Sequence, residues 1–373
     1  MQGTTKAMPA VRHLTALLIA ALAALLAVPP AASAAPVASR EQRQEMFGLG
    51  GWLWPTDQEI ATLSARGLRS WRVTFPWSDV EPQRGRHDWG YDGLLLKLAR
   101  HGVEATLTLT ECPDWACNYA GPPRTAAARA AWVDFVRAVV RRYGPSGSLW
   151  RQHPEVRARP VVYWQVLNEV NGPDQWGAPP SAAGYAAFLK LTASAIRGAD
   201  PQAKVVLAGL PEKMAAWLRD YLPALYVQPG FAGDFDVMAV GGYARQPRDL
   251  RRILRVTRRT MGRNGDAAKR VWITEISWAT GGPSHPFVTS ERGQAKRLRR
   301  AYDLLLACHR RWNLGRVYWF SHRDKRPPPG VPDYWGFHNG LMGTDGRWKP
   351  AMSTFLRYVR ERPLRVRAAG CRR

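Results

Sequence analysis

Short apolar runs alternate with longer amphipathic stretches along almost the whole chain, and this alternation restricts the fold more than any other feature. The runs read as strands are "EMFGLGGW" (45–52), "SWRVTF" (70–75), "VEATLTL" (103–109), "VVYWQVL" (161–167), "KVVLAG" (204–209), "DVMAVGG" (236–242), "VWITEI" (271–276) and "RVYWF" (316–320). Helix signals lie between them. Thr56 and Glu59 form a capping box with Gly67 placed to end that helix. Trp132, Val133, Val136, Val140 and Tyr143 fall on one helical face ahead of Gly144. Ser290 opens a helix running to about Arg311, and the last helix begins near Pro350. Strands alternating with helices imply a parallel sheet covered on both sides. Eight of them in this length match a closed (β/α)8 TIM barrel better than an open doubly wound sheet. The expected organisation is a lead-in over 35–44, a single barrel domain over 45–362 and a basic tail over 363–373. The loop "DKRPPPGVPDYWG" (324–336) follows the last strand and would lie over the barrel mouth.

The N-terminus reads differently. Lys6 and Arg12 precede the apolar run "LTALLIAALAALLAV" (14–28), and Ala32-Ser33-Ala34 makes a small-x-small site. This is the pattern of a secretory signal peptide over residues 1–34, so the mature chain is expected outside the cell and free of the membrane. The apolar run is shorter than the ~18–20 residues a spanning helix needs. Losing Lys6 and Arg12 lowers the net charge from +25 to +23. A surface so basic attracts polyanions, yet the arginines are scattered over helical stretches such as "RDLRRILRVTRR" (248–259), and no nucleic-acid-binding module is present. Four cysteines in an exported chain suggest disulfides. Cys112 and Cys117 are the near pair, which would leave Cys308 with Cys371; three pairings are open.

In a barrel the chemistry sits at the C-terminal ends of the strands. Those ends offer Arg72, Glu111, Asn168-Glu169, Tyr243, Glu275, and Trp319 with His322. An ionised carboxylate beside a buried strand is costly unless it is bonded or its pKa rises. Two of them across one mouth invite a shared task, and hydrolysis of a glycosidic bond is one that needs such a pair.

Several segments carry a family likeness. "FPWSDVEPQRGRHDWGYDGLLLKLARHGVEATLTLTECPDWA" (75–116), "LNEVN" (167–171), "WITEISW" (272–278) and "NGLMGTDGRWKPA" (339–351) resemble, in order, four signature regions of the clan A glycoside hydrolases. These are retaining β-glycosidases on (β/α)8 barrels. Family 39 is the nearest match and family 5 the second. The resemblance implies that Glu169 is the general acid and then base, and Glu275 the nucleophile. It further implies that Asn168 binds the sugar 2-hydroxyl, Arg72 holds Glu275 ionised, Tyr243 orients it, and Trp319 floors the sugar pocket. Retention of configuration comes from the resemblance alone.

The chain also departs from that pattern. Leu167 stands where a tryptophan is common, Val170 replaces a proline, and Ser277 replaces a glycine. Gly241-Gly242 replaces a His-Pro and is expected to open the pocket wall. Among the loop tryptophans, Trp54, Trp77, Trp115, Trp176, Trp278 and Trp335 are candidates to stack on pyranose rings, and two or three of them should do so. His322 either binds substrate or caps the last strand. Glu111 is a weaker catalytic candidate, because Cys112 and a proline follow it. No metal-ligand spacing, nucleotide fingerprint or nucleophile elbow is present, so neither cofactor nor metal is expected. The reading is a secreted, monomeric β-glycosidase acting on a carbohydrate, and the charge makes an anionic glycan one to include among the substrates tested. The alternatives are an inverting glycosidase on the same scaffold and a catalytically idle barrel that binds carbohydrate or polyanion.

Overall fold

The computed structural model describes residues 40–117, 121–177, 179–214, 216–360 and 371. The expected leader (1–34), part of the lead-in and nearly all of the basic tail lie outside these residues.

Eight parallel strands close into a barrel in chain order, with the first paired to the last. They are β1 (Phe47–Gly50), β2 (Ser70–Pro76), β3 (Glu104–Thr110), β4 (Tyr163–Val166), β5 (Lys204–Val206), β6 (Val237–Gly241), β7 (Arg270–Ile276) and β8 (Leu314–Phe320). Each expected run contains or overlaps one of them. A major helix follows every strand, from Asp57–Ala65 after β1 to Pro350–Arg360 after β8. The caps explain where several helices start. Thr56 accepts from the Glu59 amide while Glu59 accepts from the Thr56 amide, and Ser290 accepts from the Gly293 amide. The helix Ala126–Tyr143 buries Trp132, Val136, Val140 and Tyr143 as expected, together with Phe135 and Val139, whereas Val133 is only half-buried.

Period-two alternation sorts each strand into a lumen face and a helix-facing face. At the N-terminal end the lumen is filled by a polar and aromatic plug. Tyr318 Oη lies 2.8 Å from both Ser70 Oγ and Thr106 Oγ1. The Arg316 guanidinium reaches Glu104 at 2.6 Å and stacks over Tyr163 and Trp272 at 4.7 and 5.0 Å. This closes the barrel below, so the site can open only above.

Two disulfides are present, Cys112–Cys117 and Cys308–Cys371, which is the expected near pair and its complement. The first closes the loop after β3. Lys349, which is buried, pairs with Asp324 at 2.6 Å and donates to Thr280 Oγ1 at 2.7 Å, tying the closing segment to the loops after β7 and β8. No helix among the described residues is long and apolar enough to cross a membrane.

Candidate active site

A cavity of about 910 Å3 opens at the C-terminal end of the barrel, and Glu169 and Glu275 both line it. They stand 106 positions apart in the chain, with different local reasons for facing inward. On β7, Trp272 and Thr274 face the lumen, so strict alternation would send Glu275 toward the helices. The pairing with β6 slips instead: Val240 opposes Ile273, but Gly241 opposes Glu275. This bulge re-aims the side chain into the mouth. Just after β4, Leu167 and Glu169 adopt left-handed backbone (φ 60° and 48°). Such a conformation costs a non-glycine residue about 1–2 kcal/mol, and here it turns consecutive Asn168 and Glu169 toward the same cavity.

The two carboxyl groups have opposite surroundings. Glu275 Oε1 accepts from Arg72 Nη1 at 2.7 Å and Asn168 Nδ2 at 3.3 Å, and its Oε2 accepts from Tyr243 Oη at 2.6 Å. Arg72 is itself fixed by Gln165 Oε1 at 2.8 Å and Asn168 Oδ1 at 3.1 Å. Gln165 Nε2 in turn donates to the Leu167 carbonyl at 3.0 Å. The phenol of Tyr243 is held well above its ordinary pKa by burial and by Glu275 beside it, so it stays a donor. The Glu169 carboxyl has no protein hydrogen-bond partner among the described residues. Loss of solvent and the facing charge of Glu275 push its pKa up to about 8, and Asp174 adds to the rise against the opposing pull of Arg72. One carboxyl group is thus clamped by three donors, while the other favours its proton.

Gly209, after β5, makes this arrangement possible. A Cβ there would collide with the Thr274 hydroxyl and press to 3.1 Å from Asn168 Oδ1. Gly209→Ala is therefore expected to displace Asn168 and break its bonds to Arg72 and Glu275. A crystal structure of the variant beside a melting curve would separate this from simple unfolding, and an unmoved Asn168 would refute the steric argument.

Several expected residues lie elsewhere. Trp319 does not floor the pocket. Tyr318 and Phe320 take the lumen-facing positions of β8, so Trp319 faces the helices, where its indole donates to the Asn339 carbonyl at 3.0 Å. Phe320 lines the cavity in its place. Trp278 is fully buried behind β7 and donates to the Ala244 carbonyl at 2.8 Å. His322 is fully buried against Trp71, outside the cavity lining, and desolvation lowers its pKa to about 4. It closes the end of β8 through its backbone bond to Gly50. Trp115 donates to the Glu81 carbonyl and packs on Trp77, away from the lining. Trp77 and Trp176 are buried, and Trp54 packs against Tyr91. Trp335 does line the cavity, edge-on to Tyr243 at 5.5 Å.

Gly241 and Gly242 do not open the wall either. A Cβ at Gly242 would meet Ile273 at 2.7 Å, and one at Gly241 would meet Pro211 at 3.1 Å, so the two glycines permit close packing. Glu111 lines the cavity, with left-handed backbone and a pKa raised by burial and by Asp79.

Sequence reasoning passed over Trp52, Tyr334, Phe287 and His285, which complete an aromatic rim. Trp52 sits within an expected strand, and the only signal for Tyr334 was its place in the long loop after β8. Among the described residues, no cluster of His, Cys, Asp or Glu converges as a metal site would require.

Comparison with known proteins agrees with this architecture. No family model and no curated protein matches the chain. Many solved structures do. A family 39 glycoside hydrolase from the gut symbiont Bacteroides cellulosilyticus WH2 superposes with a TM-score of 0.61 at 16% identity, over 87% of this chain and 65% of its own. A GH5_18 protein from Streptomyces cattleya, solved in complex with Manβ1-4GlcNAc, gives 0.62 at 16% identity, covering 85% and 83%. An exo-β-1,4-mannosidase from Opitutaceae bacterium strain TAV5 gives 0.58 at 18%, covering 84% and 59%. The chain spans under two thirds of the family 39 enzyme and of the mannosidase. These structural neighbours are clan A glycoside hydrolases, and at such identities the likeness is one of fold.

Proposed function

We propose that the protein is a secreted retaining β-glycosidase that cleaves O-glycosidic bonds in an oligo- or polysaccharide. The observation that carries this reading is the electrostatic division between two carboxyl groups on one cavity: Glu275 clamped by Arg72, Tyr243 and Asn168, and Glu169 unbonded with a raised pKa. The glycosidase neighbours, the expected leader and the two disulfides point the same way.

Glu275 attacks the anomeric carbon as the glycosidic C–O bond breaks, and Glu169 gives its proton to the departing oxygen. Glycosylation cancels the charge on Glu275, which removes one cause of the raised Glu169 pKa. Glu169 then takes a proton from water, the water oxygen attacks the anomeric carbon, and the bond to Glu275 breaks. Asn168, bonded to Arg72 and Glu275, is positioned for the sugar 2-hydroxyl. Trp52, Phe320 and Trp335 supply apolar faces for the ring.

Glu169→Gln tests the assignment. Against unactivated glycans the rate is expected to fall by roughly 10²–10⁴-fold, the usual worth of general acid catalysis. With an aryl β-glycoside whose leaving group needs no proton, a burst of phenol followed by a stall is expected, and added azide should restore turnover by attacking the anomeric carbon of the glycosyl-enzyme and releasing Glu275. Manβ1-4GlcNAc, the ligand of one neighbour, belongs in the substrate panel. Because Glu169 must be protonated to act, kcat/KM of the native enzyme should decline as pH passes about 8, and the variant should lose that alkaline limb. Parental rates on glycans, or an identical alkaline limb in the variant, would remove Glu169 from the mechanism.

A further inference from the structure

Beside the main cavity lies a second groove of about 300 Å3, between the segment after β5 and the helix Leu250–Arg263. The two share a wall, because Glu212, Lys213 and Arg252 line both. The groove floor is apolar, formed by Leu218, Ile253 and Val256. At its side stands Trp217, an indole 38% exposed at the start of the helix Leu218–Tyr226. The structure of the barrel does not need a large aromatic surface in water there.

The segment carrying these groups is held in place. Asn171 donates to the carbonyls of Pro211 and Ala216 at 3.0 and 2.8 Å, and the Ala216 amide returns a bond to the Asn171 carbonyl. Arg252 and Glu212 form a two-pronged ion pair, with Nη2 2.7 Å from Oε2. Glu212 is thereby neutralised. Lys213 Nζ lies 5.1 Å from the centre of the Trp217 ring and has no ion-pair partner among the described residues. Arg219 lies 4.5 Å from the same ring and 3.5 Å from Asp220. From the helix forming the far wall, Arg252, Ile253 and Val256 line the groove. The groove therefore combines an apolar floor, an exposed aromatic face and, in Lys213, a cation with no ion-pair partner among the described residues.

We propose that this groove is a distal binding site for an acidic polysaccharide, continuous with the catalytic cavity, with Trp217 as its stacking face and Lys213 as counter-charge to a carboxylate or sulfate. The inference rests on the glycosidase reading for what occupies the main cavity, and it extends that reading to the class of chain that crosses the shared wall. An indole accepts the apolar face of a pyranose. A cation held beside it discriminates in favour of an acidic sugar, as charge complementarity does at interfaces. A neutral glycan would use the indole and leave Lys213 idle.

Affinity electrophoresis in gels containing hyaluronan, polygalacturonate or neutral xylan tests this, using Glu169→Gln as the background so that the polymer stays intact. Slowing by at least one acidic polymer is expected, with little by xylan. Adding Trp217→Ala alters no charge, so diffuse attraction of a basic protein to a polyanion would not respond to it. The proposal expects about a tenfold loss of affinity, the scale of a truncated tryptophan anchor, at an unchanged melting temperature. Adding Lys213→Gln should weaken binding and flatten its salt dependence. Equal slowing of the Trp217→Ala protein, equal slowing by xylan, or no slowing by either acidic polymer would each overturn the proposal. The mechanism is judged separately, by the turnover of aryl glycosides by Glu169→Gln, so either claim can fail while the other stands.

Discussion

Glu275→Gln is expected to abolish turnover, lowering kcat/KM by roughly 10⁴-fold or more, as loss of a nucleophile does in other enzymes that act through a covalent intermediate. The reason is local. Glutamine fills the same volume, and its amide oxygen still accepts from Arg72 or Tyr243. It cannot bond to an anomeric carbon. The bonds at 2.7 and 2.6 Å that hold the native carboxylate show that its oxygens are already oriented before substrate arrives. Two other acids of the same cavity are poorly suited to replace it. Glu169 favours its proton, and Glu111 sits after β3 with its own pKa raised. Unlike Glu169→Gln, this variant should give no burst of phenol from activated aryl glycosides, since no glycosyl-enzyme forms. A rate within tenfold of the parent on those substrates would remove Glu275 from the chemistry, and with it the two-carboxylate mechanism.

Arg72→Met is expected to damage both stability and activity. The guanidinium is 3% exposed and bonds to Glu275, Gln165 and Asn168 at once. Methionine fills much of the space and makes none of these bonds. It leaves the Glu275 carboxylate in the barrel mouth without its cation, and breaking a buried pair in this way costs about 3–5 kcal/mol. A clear drop in melting temperature should accompany a loss of at least ~10²-fold in kcat/KM at neutral pH, because the carboxylate loses the guanidinium that fixes Oε1 and the Asn168 amide in place. Arg72→Lys should recover part of the stability and little of the activity. An ammonium on a flexible stem restores the charge but cannot span three acceptors in fixed directions. If Arg72→Met melts with the native protein and turns over at a similar rate, the clamp around Glu275 has no functional weight.

These two residues show how far the sequence could be read. Arg72 alternates with Ser70 and Thr74 along β2, so period two alone puts it in the lumen. Glu275 does not follow that rule, and its inward aim comes from the slipped pairing between β6 and β7. The motif around it was legible as a resemblance, whereas the geometry that makes it work was not. Trp319 shows the opposite failure. A tryptophan on the right strand suggested a pocket floor, yet parity sends it outward and puts Phe320 in the cavity. Counting from Tyr318, which fills the plug, would have found this.

The loop aromatics were harder still. Trp54, Trp77 and Trp115 look alike in the sequence and differ only in what packs over them. Trp52 and Trp217 had no distinguishing pattern at all. The glycine pair at the end of β6 poses the same difficulty, since a missing side chain signals either space or close approach, and only the neighbours decide which.

By itself the sequence determined the eight strands, the helices between them, the capping residues and the two strand ends that carry Glu169 and Glu275, because alternating burial and terminal hydrogen bonds are local and leave a periodic trace. Which side chains share a cavity, which carboxyl group keeps its proton and which indoles stay in reach of a ligand were decided by the tertiary structure. Those properties depend on desolvation and on charges brought together from strands far apart in the chain, and no local pattern encodes them.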